Sequence, residues 1–423
     1  MKAKQIVFSA IIILQSIFGV SSVAQNTGDT LFLERLLRKH PDKFKKELAN
    51  PEKYRVQIIY TQIDRDKNNV PSFREYRYRV KRENYFYCAS LVKLPVSALS
   101  LEKMRLHSVG SLSPKSPMLT DSASSCQKKT EHDSTSSSGL PSLSQYIKRM
   151  LLISDNEAYS RTYEFLGRDY IHDLLNSKGY PDAFIIQRFD SGCNTDDNAC
   201  TNPIRFLDSI GNLLYNQDAQ CSSLTMLHPL GKPHAGLAYI DKNEKKVNEP
   251  KDFSQSNFLP LKDITRMLRS LVFPESVNPE ERFKIKEEDR LFLLRYMSTL
   301  PRESDYPKYN SKNFYDSYKK YLIYGDNRAT LQQDSLRIFN IVGQSYGFVS
   351  DVAYICDFKN NVEFMLSAVI YANEDEIIND NKYEYKSIAL PFMAELGKVI
   401  YNYDRKRKRL VKPRLEEFRF DYK

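Results

Sequence analysis

Residues 85–95, YFYCASLVKLP, join a strand-like run to an apolar helical pattern that continues to about Leu106. They contain a Ser-x-x-Lys element, Ser90 to Lys93. On a helix, residues three positions apart share a face, so the lysine amine can lie beside the serine hydroxyl. A partly desolvated lysine has a lowered pKa and can accept the serine proton, which makes the hydroxyl a nucleophile. The same spacing occurs at Ser100, Ser125 and Ser317, but only Ser90 follows a strand pattern and begins an apolar helix.

A second motif, Ser154-Asp155-Asn156, is the only Ser-Asp-Asn in the chain and lies 64 residues after Ser90. It separates helical patterns at 144–153 and 157–177. A hydroxyl, a carboxylate and an amide at such a break can protrude into a cleft. A capping turn for the helix that starts at Glu157 is the alternative interpretation.

The remaining patterns predict an α/β fold, more closely an α+β sandwich. Helical spacing marks the two ends and the middle of the chain, at 31–48, 253–300 and 388–403. Strand patterns occur at 54–63, 74–80, 335–343, 348–358 and 362–373. We therefore expect one antiparallel sheet, built from both chain ends and flanked by helices, with an inserted all-helical lobe.

The domain boundaries follow from these patterns. Lys2 and Lys4 precede a short apolar run and the small residues before Ala24, so residues 1–24 are predicted to be a signal peptide cleaved after Ala24. An uncleaved N-terminal anchor is the alternative. Residues 25–403 form the expected domain, with a sheet lobe at about 30–90 and 331–403 and a helical lobe at about 91–330. Residues 404–423 are expected to be a solvated basic tail. The predicted location is periplasmic or secreted.

Composition narrows the function classes. The 423 residues are 41% hydrophobic and 27% charged, which excludes a disordered chain. The net charge of +10 falls to +8 once the signal peptide is removed, and no phosphate-binding glycine loop occurs. We expect no nucleic-acid partner, no stable membrane span and no metal site, and a monomer is favoured.

The six cysteines form no Cys-x-x-Cys pair, and Cys193 and Cys200 are close enough in a polar loop to form a disulfide.

Together, residues 85–95 and 146–167 resemble the nucleophile helix and second-motif loop of the penicillin-recognising serine hydrolases, mainly class A β-lactamases and the related transpeptidases and carboxypeptidases. The resemblance implies that Ser90 is the acyl-accepting nucleophile and Lys93 its base. It also implies that Ser154 relays a proton to the leaving nitrogen and that Asn156 binds the substrate's amide side chain. The expected substrate is a β-lactam or a cell-wall peptide, and no cofactor is implied.

Two positions depart from that family. Its third motif, Lys-Thr/Ser-Gly, corresponds here to Ile341-Val342-Gly343, so the cation that grips the substrate carboxylate is missing. Gly343 fits, and the backbone N–H of Gln344 is placed to complete an oxyanion hole with that of Ser90.

The second departure concerns the deacylating glutamate, whose place is taken by Asn198. The neighbouring Asp197 is the candidate for its role.

These residues predict an exported, β-lactamase-like serine hydrolase that forms an acyl-enzyme at Ser90. The alternative is a non-catalytic or slowly deacylating penicillin-binding type of protein that retains the cleft.

Overall fold

The computed structural model of the protein describes residues 26–27, 29, 31–107, 110–331 and 335–422. The predicted signal peptide lies outside them. The strands are β1 (Asn26–Thr27), β2 (Gln57–Arg65), β3 (Pro71–Tyr78), β4 (Met118–Thr120), β5 (Ile204–Leu207), β6 (Leu213–Gln217), β7 (His234–Ala235), β8 (Ala238–Ile240), β9 (Lys246–Val247), β10 (Lys251–Asp252), β11 (Leu336–Ser345), β12 (Phe348–Asp357), β13 (Val362–Tyr371) and β14 (Ile377–Ile378). The helices are α1 (Phe32–Arg38), α2 (Pro41–Ala49), α3 (Lys93–Leu106), α4 (Leu143–Ile153), α5 (Asn156–Leu166), α6 (Arg168–Ser177), α7 (Leu261–Val272), α8 (Glu287–Ser298), the single turn α9 (Tyr321–Tyr324) and α10 (Leu390–Lys406).

The central sheet has six strands in the order β1-β3-β2-β13-β12-β11. Its pairings are antiparallel except that between β1 and β3. Strands from both chain ends meet where β13 pairs with β2, for example Ser367 opposite Ile59. The predicted fold class, an antiparallel sheet from both chain ends flanked by helices, is confirmed.

Two hydrophobic cores cover the two faces of this sheet. One core packs α1, α2 and α10 against one face, and the other packs the helices of the middle segment against the opposite face. Every residue of β12 and β13 is buried, which explains why both strands are continuous apolar runs in the sequence. The sheet edge formed by β11 is thereby held against the 3₁₀ turn that precedes α3, where Ser90 lies.

The middle segment is not all-helical as predicted, because it also contains short strands. The strands β4, β5 and β6 form an antiparallel sheet, and β7 to β10 make shorter pairings. Two predicted helices are each divided: the 31–48 pattern breaks before Pro41, and the 157–177 pattern breaks at Gly167, whose φ is 78°. Proline at a first helical position and glycine with positive φ both end a preceding helix.

Residues 404–422 do not form a solvated tail. The helix α10 continues to Lys406, and the chain then folds back so that Leu415 and Phe418 are buried against the core. Arg407 and Arg409 both bind the buried carboxylate of Asp404. The basic run is therefore partly neutralised inside the fold.

The expected disulfide between Cys193 and Cys200 is wrong. Cys193 is bonded to Cys126, and Cys200 to Cys221. Each bridge ties the loop to a different neighbouring segment, a choice that closeness in sequence cannot reveal. Cys88 and Cys356 are free and buried. Among the described residues, no helix has the length and apolarity needed to cross a membrane.

Candidate active site

Ser90 lies in a 3₁₀ turn, Ala89–Val92, that leads directly into α3. The preceding Ala89 has a φ of 44°, in the left-handed region that non-glycine residues adopt only under local strain. Strain of this kind concentrates at functional sites because the surrounding structure must hold it in place. Ser90 is partly exposed and lines a cleft of about 270 Å³.

Lys93 lies behind Ser90 and is fully buried. Its Nζ is 2.9 Å from Ser90 Oγ, 2.6 Å from the carbonyl oxygen of Ser154 and 3.1 Å from Ser154 Oγ. Asn156 Oδ1 is a further acceptor at 2.7 Å. Burial lowers the pKa of Lys93 well below its usual value, and the positive charge of Lys319 lowers it further. The neutral amine that a general base requires is therefore favoured beside the serine hydroxyl.

The Ser-Asp-Asn motif caps a helix and also contributes a side chain to the cleft, so both interpretations of its sequence apply. Asp155 is the N-cap of α5, and its carboxylate accepts the N–H of Ala158 at 2.8 Å. Arg149 holds the same carboxylate at 2.9 Å. Ser154 closes α4 in a left-handed conformation, with φ of 60°. Because the aspartate alone does the capping, the Ser154 hydroxyl and the Asn156 amide are free to turn toward Lys93.

Gly343 lies where β11 passes the nucleophile turn. A Cβ atom there would be 2.5 Å from the Cys88 carbonyl oxygen and 2.7 Å from Ser350 Oγ, so only glycine fits. Ser345 and Phe348 form the hydrogen-bonded pair that closes a two-residue hairpin. Hydrogen-bonded and non-hydrogen-bonded pairs alternate along an antiparallel ladder, so the next residue, Gln344, belongs to a non-hydrogen-bonded pair. The backbone N–H of Gln344 therefore points away from β12, toward the open sheet edge beside Ser90.

The side chain of Ile341 is 3% exposed and packs in the core on the helical face of the sheet. The position at which the resemblance predicts a cation thus carries an apolar side chain of the core.

The loop after α6 is held by Arg188, whose side chain is fully buried. Its Nε donates to Glu164 Oε1 at 2.7 Å, and its Nη2 donates to the Cys200 carbonyl at 2.7 Å. Asn198 is committed to this framework, since its Oδ1 accepts the Arg188 N–H at 2.9 Å. The carboxylate of Asp197 accepts the Asn194 N–H at 3.4 Å, and Asp197 is not among the described residues that line the cleft.

Asp190 is an acidic residue that the structure brings to the cleft and that no sequence motif indicates. It lines the cleft with Ser90 and Asn156, and its Oδ2 accepts the Asn156 Nδ2–H at 2.7 Å. Its φ of 52° turns the carboxylate inward. The resemblance could not indicate it, because it places the family's acid at Asn198 and Asp190 stands eight residues before that position.

Asn156 therefore joins two groups of opposite character. Its carbonyl oxygen faces the Lys93 amine, and its NH₂ group faces the Asp190 carboxylate.

Within the described residues, no group of three or more His, Cys, Asp or Glu side chains could hold a metal ion.

A partly exposed serine beside a buried lysine, at the junction of an antiparallel sheet and a helical segment and with a Ser-Asp-Asn turn against the lysine, defines the class of penicillin-recognising serine hydrolases. Residues 42–403 match the model of the Beta-lactamase enzyme family, and the chain belongs to that family. No curated protein matches the chain.

Among solved structures, the chain is similar to a class A beta-lactamase from Clostridium kluyveri, with 12% identity over 89% of this chain and 99% of that one and a TM-score of 0.43. The beta-lactamase from Sphaerobacter thermophilus has 13% identity, covering 85% of this chain and 95% of that one, with a TM-score of 0.44. The beta-lactamase from Streptomyces albus G has 13% identity, covering 87% of this chain and 99% of that one, with a TM-score of 0.43.

Proposed function

We propose that the protein is an exported serine hydrolase that forms an acyl-enzyme at Ser90 and acts on β-lactams or related cell-wall peptide amides and esters. The single observation that carries this proposal is the 2.9 Å contact between Ser90 Oγ and the buried amine of Lys93. The predicted signal peptide supports the export of the protein, and the predicted division into a sheet lobe and a helical lobe belongs to the same proposal.

In the acylation step, Ser90 Oγ attacks the substrate carbonyl while its proton passes to the neutral Lys93 amine. The backbone N–H groups of Ser90 and Gln344 stabilise the oxyanion that develops. Ser154 Oγ, 3.1 Å from Lys93 Nζ, relays the proton to the leaving nitrogen as the C–N bond breaks. Asn156 holds the substrate's amide side chain, and Gly343 keeps the strand close to the nucleophile.

Deacylation requires a base that activates water on the acyl-enzyme. We assign this role to Asp190 in place of Asp197, because Asp190 lines the cleft beside Ser90 and is linked to Asn156. Water gives a proton to the Asp190 carboxylate as its oxygen bonds to the acyl carbon. The bond between that carbon and Ser90 Oγ then breaks, the proton passes from Asp190 to Ser90 Oγ, and the acid product leaves.

One observation favours a second candidate function, a slowly deacylating penicillin-binding protein. Asn198 occupies the place of the family's deacylating acid, and its side chain is committed to holding the loop. If Asp190 does not replace that acid, the acyl-enzyme forms and persists.

A fluorescent penicillin tests both candidates. We expect the wild-type protein to be labelled and Ser90→Ala to remain unlabelled. Ser100→Ala is the matched control, because Ser100 also begins a Ser-x-x-Lys element but its Oγ bonds the Ser97 carbonyl within α3. A label that clears within minutes supports the hydrolase, and one that lasts for hours supports the slow-deacylating alternative. Absence of label, or labelling of Ser90→Ala, contradicts both.

A further inference from the structure

A second cavity, of about 450 Å³, lies beside the catalytic cleft and carries no role in the proposed mechanism. Its wall is rich in tyrosines, and it is called the tyrosine cavity below. The residues that matter for its chemistry are Tyr315, Tyr318, Lys319, Tyr321, Gln344 and Tyr385. Phenolic hydroxyl groups supply hydrogen-bond donors on an otherwise aromatic surface. The cavity can therefore take a polar or charged group without being open to bulk solvent on every side.

Gln344 connects the tyrosine cavity to the catalytic cleft, because it lines both. Its side-chain Oε1 accepts the Tyr321 hydroxyl at 2.8 Å. Lys319 Nζ in turn donates to the Tyr321 hydroxyl at 3.3 Å. A substrate bound at Ser90 can thus extend past Gln344 toward the ammonium group of Lys319.

Lys319 forms no salt bridge with any carboxylate in the part of the chain that the structure describes, so its positive charge is not neutralised there. The side chain is partly buried, and burial lowers its pKa to about 8, so it is still mainly charged at neutral pH. Its positive charge also lowers the pKa of Lys93. Arg328 and Lys386 add two exposed cations to the lining, against the single carboxylate of Asp326.

The backbone around Lys319 is held by a buried polar network on β11 and β12. Asn340 Nδ2 donates to the Lys319 carbonyl at 2.8 Å and to Asp351 Oδ1 at 2.8 Å. The neighbouring Lys320 donates to Asn340 Oδ1 at 2.7 Å. With its own φ of 62°, Lys319 is fixed in a conformation that lysine rarely adopts unless neighbouring contacts enforce it.

We infer that the tyrosine cavity is a substrate subsite that receives a carboxylate-bearing extension of the acylating molecule, with Lys319 as the cation at its inner end. This inference rests on the proposed function. The catalytic cleft of about 270 Å³ falls below the roughly 300–1,000 Å³ of sites that enclose a whole small molecule. The tyrosine cavity supplies the additional room, and its positive lining selects an acidic extension over a neutral one.

The test compares two hippuryl thioesters whose leaving thiol ends either in a carboxylate or in the corresponding carboxamide. A charge-assisted hydrogen bond contributes enough to predict roughly a tenfold to hundredfold higher kcat/KM for the carboxylate. Lys319→Met should abolish this preference, measured as the ratio of the two kcat/KM values, because the loss of Lys319 also raises the pKa of Lys93 and slows both substrates. Lys312→Met, which removes an exposed lysine that does not line the cavity, should keep the preference. Equal rates for the two thioesters in the wild type, or a preference that survives in Lys319→Met, would overturn the inference.

A binding measurement separates this inference from the proposed function. Non-hydrolysable thioether analogues of both compounds are titrated by calorimetry into Ser90→Ala and into Ser90→Ala/Lys319→Met. Tighter binding of the carboxylate that disappears in the double variant supports the subsite even if neither thioester acylates Ser90. Equal binding of carboxylate and carboxamide in Ser90→Ala contradicts the subsite even if Ser90 is acylated.

Discussion

Asp190→Asn is the substitution that most directly tests how the acyl-enzyme is cleared. Asparagine is close in shape, tolerates the left-handed backbone at this position, and keeps an oxygen that can accept the Asn156 Nδ2–H now bound at 2.7 Å. The change therefore removes the base and leaves the cleft geometry in place. The negative charge of Asp190 raises the pKa of Lys93, so its removal favours the neutral amine and should not slow acylation.

The expected loss lies in deacylation alone. A positioned general base contributes about 10²- to 10⁴-fold in rate, which corresponds to about 2.7–5.4 kcal/mol of barrier. With a chromogenic cephalosporin, Asp190→Asn should give a burst of one equivalent followed by slow turnover. Intact-protein mass should show the acyl adduct accumulating.

Asp197→Asn is the matched control, because it makes the same chemical change on the same loop at a carboxylate that bonds the Asn194 N–H. Its turnover should equal that of the wild type. Undiminished turnover in Asp190→Asn without an accumulating adduct would refute the role of Asp190. A burst in Asp197→Asn would return the role to the residue that the sequence suggested.

Three further predictions concern the base, the strand and the bridges. Because the pKa of Lys93 is lowered and its neutral form is the base, the rate of penicillin labelling should rise with pH and level off well below pH 10.5; Lys93→Met should label about 10²- to 10⁴-fold more slowly at every pH. Gly343→Ala should lower the free energy of unfolding by about 1–3 kcal/mol and slow labelling, because the new Cβ meets the Cys88 carbonyl at 2.5 Å; thermal unfolding and labelling rates measure the two effects. Cys126→Ser should cost about 2–4 kcal/mol of stability in denaturant unfolding by removing the Cys126–Cys193 bridge, which spans 67 residues.

Each of these has a contradicting outcome. A labelling rate that keeps rising to pH 10.5 would mean that Lys93 titrates as an ordinary lysine. Wild-type stability of Gly343→Ala would show that the strand and the nucleophile turn are not in close contact. A non-reducing peptide map that recovers Cys193 joined to Cys200 would overturn the bridge assignment.

The residues that local sequence could identify are those whose spacing fixes their geometry. Ser90 and Lys93 are three positions apart on one helical turn, and Ser154 to Asn156 lie at a helix break, so their chemistry can be predicted from the pattern. The structure brings these two motifs together with contacts of 2.6–3.1 Å between Lys93 and Ser154. The strands β12 and β13 can also be predicted from the sequence, because strands buried on both faces are continuous apolar runs.

Tertiary structure alone decided which polar side chains reach the cleft and its neighbouring cavity. Asp190 and Lys319 lie in irregular segments whose direction is set by left-handed backbone and by distant partners. Glu164 holds one loop through Arg188, and Asn340 holds the other. The disulfide pairing and the inward folding of residues 404–422 likewise depend on contacts between segments far apart in the chain. The sequence by itself determined the fold class and the proximity of Ser90 and Lys93, because both follow from periodic spacing. The positions of Asp190 and Lys319, the proposed acid and the proposed substrate-binding cation, were decided by long-range packing, which periodic spacing does not encode.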